Sequence, residues 1–219
     1  MANLNQLFNN NINWARRVLE KDPDFFNDMI NVQSPKYLWV GCSDSRVPAN
    51  QITGLNAGEI FVHRNVANIV VHTDLNCLSV IQYAIDVLKV EHIMVVGHYG
   101  CGGVLSALEG THLGLIDNWL RHIQDVRDLY PAFKNMHIDV NLRWKVLCEL
   151  NVIHQVRNIT RTTVVGHAWR RKQNLSIHGW VYGLNNGLLK DLNVTLNGNA
   201  EDEKLVELAI ANAISALTT

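Results

Sequence analysis

Net charge is almost absent from this 219-residue chain. Its 19 basic and 20 acidic side chains leave a formal −1, too weak a field to gather a polyanion, so no nucleic-acid partner is expected. No uninterrupted apolar run approaches the ~20 residues that a bilayer span needs, and no membrane segment is expected. The opening Met1-Ala2-Asn3-Leu4-Asn5-Gln6 lacks a basic stretch followed by an apolar core, which argues against a secretory leader and for a cytoplasmic location. Four cysteines are too few for a disulfide scaffold at this length, and a reducing compartment would leave them as thiols. Internal repeats and low-complexity segments are lacking. What is there is a composition 47% hydrophobic and 18% charged, ordinary for a soluble globular protein and enough for one sizeable core. A single domain over residues 1–219 is expected, with 1–34 as an N-terminal helical arm and 35–219 as the core.

Hydrophobic periodicity gives the coarse architecture. Leu4, Leu7, Phe8, Ile12, Trp14, Val18 and Leu19 recur near helical spacing, predicting an amphipathic helix over residues 4–20. Tyr37 to Gly41, Glu59 to His63 and Ile93 to Gly97 read as strands, the last two rich in β-branched residues. Asp74 is placed to cap a helix running to about Lys89. Helical patterns return over Leu115 to Asp128 and Leu142 to Asn158, separated by a polar joint at Pro131 to Asp139. Leu175 to Tyr182 alternates like a further strand, and Glu203 to Leu217 closes the chain as a helix. Strands alternating with helices predict an α/β fold, with a central, largely parallel β-sheet flanked by helices. In such sheets ligands gather beyond the carboxyl ends of the strands.

Two short motifs sit at such ends. Cys42-Ser43-Asp44-Ser45-Arg46 and His98-Tyr99-Gly100-Cys101 each follow an apolar strand-like run, and together they offer two thiolates, an imidazole and a carboxylate. Zn²⁺ favours sulfur and nitrogen, and a catalytic site takes three protein ligands and leaves a fourth position exchangeable. Cys42, His98 and Cys101 would fill the three places. Asp44 is close enough to occupy the fourth, and Arg46 to draw that carboxylate away. Taken singly, each cysteine also suits a small buried apolar residue and His98 a core histidine; their joint placement at two strand ends favours the metal. Cys77 and Cys148 lie in helix-like apolar patterns and are expected in the core.

The segments Gly41 to Pro48 (GCSDSRVP), His63 to Asn68 (HRNVAN) and Gly97 to Gly103 (GHYGCGG) resemble the beta class of carbonic anhydrases, in order from about Trp39 to Tyr182. The resemblance implies reversible hydration of carbon dioxide to bicarbonate and a proton, on one zinc ion per chain held by Cys42, His98 and Cys101. A hydroxide on the metal would be the nucleophile, and Asp44 and Arg46 would form the catalytic dyad. It also implies a homodimer or homotetramer, for which the apolar face of the N-terminal arm is a natural contact. Two thiolates cancel the formal charge of Zn²⁺, so its water should be less acidic than on three neutral histidines, and activity should rise toward alkaline pH.

Within that family the chain resembles the bacterial subset switched by bicarbonate and pH. Trp39, Arg64 and Tyr182 match the residues that line its anion pocket, and Val47 fits the same subset. Bicarbonate there would favour Asp44 capping the zinc, with Arg46 released and the enzyme off. Gly102 and Gly103 would let backbone N–H groups approach a substrate at a helix start. Gln33 and Tyr83 resemble positions near the active cleft. Any of His63, His72, His122, His154, His167 and His178 has the titration range of a proton carrier, and spacing selects none of them.

Three other chemistries fit parts of the pattern. A thiol enzyme with Cys42 as nucleophile and Arg46 as anion binder uses two residues and leaves the rest idle. A closed structural zinc would keep Asp44 as a permanent ligand. A nucleotide site around Gly97 to Gly103 lacks both the P-loop lysine and the G-x-G-x-x-G spacing.

Overall fold

The computed structural model describes residues 3–31, 33–135 and 137–217. The chain divides into two compact units, Met1–Ser34 and Pro35–Thr219. The first holds helices α1 (Leu4–Lys21) and α2 (Phe25–Asn31). Asn3 caps α1 by accepting from the Asn5 N–H, supplying a partner to a donor the helix cannot satisfy itself. Trp14 packs edge-on against Phe26 at 5.7 Å between ring centroids. Leu4, Leu7, Phe8 and Ile12 are exposed, so α2 does not cover the apolar face of α1.

The second unit runs β1 (Tyr37–Cys42), α3 (Ala49–Thr53), β2 (Ile60–Asn65), α4 (Leu75–Gln82), β3 (His92–His98), α5 (Gly102–Glu109), α6 (Asp117–Asp128), α7 (Val140–Thr160), α8 (Thr163–Arg170), β4 (Ser176–Tyr182), β5 (Leu189–Leu196) and α9 (Asp202–Ser215). Asp74 does cap α4, accepting from Asn76 and Cys77 N–H groups, and the helix ends in a wider π turn over Tyr83–Val87. The strands form one sheet in the order β2-β1-β3-β4-β5. β2, β1, β3 and β4 are parallel, and β5 runs antiparallel to β4. This is the expected α/β architecture, with helices at both ends of the chain.

Strand order positions the site. From β1 the chain moves to β2 on one side and then returns to β3 on the other, so β1 and β3 diverge at a topological switch point. A crevice opens beyond their carboxyl ends, where such folds bind ligands. Cys42 is the last residue of β1 and His98 the last of β3.

The larger core cluster joins Leu38, Val40, Ile93 and Val95 to the central turns of α7, whose residues from Val146 to Val156 are buried. A smaller cluster on the other sheet face contains Trp39, Val47, Met94 and Val96. Cys77 and Cys148 are buried in the larger one. β5 and α8 are additions to the elements expected from periodicity. β5 is masked by a register shift: Trp180 pairs with Asp191 but His178 with Thr195, and Asn193 takes a left-handed φ of 56°. The two extra residues on β5 interrupt the alternation that marks a strand.

Candidate metal centre

Cys42 and His98 arrive at the crevice on strand ends, and Cys101 arrives as the N-cap of α5. The Cys42 and Cys101 sulfurs are 4.0 Å apart, and the donor atoms of Cys42, His98 and Cys101 all lie within 4.8 Å of one another. All three residues are buried. The Nδ1 of His98 lies 3.0 Å from the Tyr99 carbonyl. A carbonyl only accepts, so Nδ1 carries a ring proton, which leaves Nε2 as the nitrogen that would present a lone pair to a metal. That Nε2 is buried without a hydrogen-bond partner, a costly state unless something electrophilic takes the lone pair. Two sulfurs and one such nitrogen are the donor set of a borderline-soft cation, and zinc fits it.

The thiols are prepared for that charge. Cys42 is pushed down, first by its hydrogen bond with Cys101, against the opposing cost of burial. Cys101 is pushed up by the same shared proton and by burial. A bound dication would displace this last proton, as thiolate ligation requires. The Ala67 N–H also donates to the Cys42 sulfur at 3.4 Å.

Asp44 stands at the edge of this cluster, its Oδ2 3.6 Å from His98 Nε2. Arg46 grips it in a fork, Nε to Oδ1 at 2.9 Å and Nη2 to Oδ2 at 2.7 Å, and the Arg46 N–H adds a third bond at 2.9 Å. The guanidinium, first of all, and then that N–H hold the Asp44 carboxyl well below the usual carboxylate range. Arg64 donates to the Cys42 carbonyl at 2.9 Å and to the Asp44 carbonyl at 2.5 Å, so it fixes the backbone that carries both groups.

Of the other expected residues, Gly102 and Gly103 open α5. A Cβ on Gly103 would come within 3.2 Å of Val66, whereas one on Gly102 would meet nothing within 4 Å. Trp39, Val47 and Tyr182 meet in or against the smaller cluster. Strand register puts Trp39, Arg64 and Tyr182 on one sheet face: Gly41 pairs with Arg64, Trp39 with Met94, and Met94 with His178. The indole N–H of Trp39 is buried without a partner. Tyr83 lies on the π turn with its ring near Phe61, and among the described residues it makes no ring contact or hydrogen bond with the cluster. Gln33 is exposed in the first unit.

Spacing missed the scaffold behind the ligands. Ala67 and Asn68 both adopt left-handed φ, 63° and 48°, without a glycine to flag the turn. Asn65 pins that turn by accepting from the Ile69 N–H and donating to its carbonyl, while Asn151 on α7 donates to the Ala67 carbonyl at 2.9 Å. Trp144, also on α7, donates to the Cys101 carbonyl at 2.9 Å. The only prior signal was the quoted HRNVAN segment.

Comparison with known proteins agrees with this geometry. Residues 37–189 match the carbonic anhydrase family model. A carbonic anhydrase of Emericella nidulans is 48% identical over 197 residues, spanning 90% of this chain and 86% of that protein. Among solved structures, the Coccomyxa beta-carbonic anhydrase bound to acetazolamide is 39% identical, covers 90% of both chains and superposes with a TM-score of 0.85. A beta-carbonic anhydrase of Sordaria macrospora, described as tetrameric, is 35% identical over 88% of this chain and 98% of its own, with a TM-score of 0.83.

Proposed function

Because the chain belongs to the beta-class carbonic anhydrases and is a carbonic anhydrase, we propose that it hydrates carbon dioxide reversibly at a zinc ion held by Cys42, His98 and Cys101. The observation that carries the assignment is the buried, unpartnered Nε2 of His98 facing two sulfurs 4.0 Å apart. What zinc supplies at such a place is Lewis acidity, which makes water nucleophilic enough to add to carbon dioxide.

The remaining work falls to side chains. Asp44, kept ionised by Arg46, accepts a hydrogen bond from the attacking water and so aims its lone pair. Burial of all three ligands shields the reacting charges and strengthens that contact. Gly102 and Gly103 bring the free N–H groups of the first turn of α5 close to product oxygens. The two-thiolate donor set predicts a stopped-flow hydration rate that climbs between pH 7 and pH 9; a flat or falling profile would count against it.

Regulation by bicarbonate is the finer part of the proposal. Trp39, Arg64 and Tyr182 share a sheet face, Trp39 offers a buried N–H with no partner, and Val47 packs beside it. An anion placed there would satisfy the indole and draw on Arg64, which otherwise holds the Asp44 carbonyl. Asp44 would then be free to leave Arg46 and cap the metal, favoured at low pH and high bicarbonate. Replacing Trp39 with Phe should weaken bicarbonate inhibition; inhibition unchanged by W39F would dispose of the pocket.

The exposed apolar face of α1 supports self-association, as a homodimer or a homotetramer, and the tetrameric Sordaria relative is in keeping with this. A stable monomer in light scattering would contradict it. Four buried free thiols suit a cytoplasmic location, where reduction preserves them.

A further inference from the structure

Tyr99 links the two halves of the donor set, standing directly after His98 and two residues before Cys101. Its carbonyl accepts the His98 Nδ1 proton, and so it decides which ring nitrogen is turned toward the thiols. Its N–H donates to the Tyr182 carbonyl at 3.0 Å. The chain then turns sharply through Gly100 at φ 73°. A carbonyl in such a turn would be free to swivel unless the residue were held from outside.

The hold comes from its side chain. The Tyr99 hydroxyl donates to Glu149 Oε1, a carboxylate in the buried stretch of α7, only 6% exposed. Lys190 on β5 donates to the same oxygen at 2.8 Å. A buried carboxylate is costly without partners, and here a cation and a hydroxyl meet that cost. Lys145, one helical turn before Glu149, places its ammonium 5.5 Å from the centre of the Tyr99 ring. Among the described residues, no hydrogen bond or ion pair joins Tyr99, Glu149, Lys190 or Lys145 to Asp44 or Arg46.

We propose that Tyr99 and Glu149, with Lys190, form a positioning relay that locks His98 in its metal-ready tautomer and orientation. Partners of this kind, one bond removed from a ligand, commonly govern metal affinity by roughly 10–100-fold. The relay fixes a main-chain acceptor through a side-chain anchor about 50 residues away in sequence. The inference rests on Cys42, His98 and Cys101 being metal ligands.

The test compares the parent with Tyr99→Phe, Glu149→Ala and the double variant, reading zinc affinity by chelator competition and urea unfolding of the zinc-free proteins. Tyr99→Phe keeps the ring and its cation contact, so it folds even if Glu149→Ala does not. The relay predicts that Y99F weakens zinc affinity about 10-fold or more, with the zinc-free unfolding midpoint nearly unchanged. The double variant should be no worse than the weaker single one, since both cut the same tether. Nitrogen-15 NMR of the zinc-free parent should show His98 protonated at Nδ1, and of Y99F a mixture of tautomers. Zinc affinity of Y99F equal to the parent's, or a loss that merely tracks a lower midpoint, would overturn the relay. A parent that takes up no zinc would overturn the metal assignment instead, and the His98 tautomer would still report on the tether.

Discussion

A Cβ on Gly41 would sit 2.1 Å from the indole nitrogen of Trp39, two residues earlier on the same face of β1. Trp39 is fully buried and has no room to swing aside. The glycine immediately before the ligand Cys42 is therefore the space into which the Trp39 ring packs. Gly41→Ala should destabilise the protein by about 1–3 kcal/mol, the usual penalty for overfilling a close-packed core. Urea unfolding measures it, and an unchanged midpoint would mean the indole moves more freely than its burial implies.

Asp44 is proposed to act through its charge. Asp44→Asn keeps an oxygen of similar shape but cannot be ionised, and it weakens the fork with Arg46. The hydration rate should fall by about a hundredfold or more, the scale of losing a positioned acid–base group, while zinc content stays at the parent level. Activity within a few-fold of the parent would remove Asp44 from the chemistry.

Much of the centre was legible because its ligands follow apolar runs that read as strands without help. Cys42 and His98 are such positions, and the switch point between β1 and β3 explains why two ends distant in sequence meet. The scaffold was not legible. Asn151, Trp144 and Glu149 reach the ligand loops from α7, far along the chain, and no spacing rule connects residues that only tertiary contact joins. α8 was hidden by its own composition, since Thr163, Val164 and Val165 favour strands and Gly166 weakens helices; the Thr162 side chain, which accepts from the Val165 N–H, caps it nonetheless. β5 was hidden by the bulge near Asn193.

His154 gives the fold a pH dependence separate from the metal. Burial, then the charges of Arg157 and Arg161, push it down to about 4, and its Nε2 is hydrogen-bonded to the Tyr130 hydroxyl at 2.7 Å. An unfolded chain would titrate this ring near its ordinary value of about 6.5. Between those values the unfolded state binds the extra proton, so stability is full above about pH 6.5 and falls as pH drops toward 4. From pH 7.5 to pH 5 the loss is roughly 2 kcal/mol for this one group. His154→Gln should lack it, so the stability difference between parent and variant should shift by about that amount over the same range. A difference independent of pH would contradict a neutral, buried His154.

The most direct measurement is zinc per chain in the purified protein, followed by carbon dioxide hydration before chelation, after exhaustive chelation and after zinc is returned. One zinc per chain, activity lost with the metal and restored with it, is the result that ligation by Cys42, His98 and Cys101 predicts. Full activity in metal-free protein would contradict it.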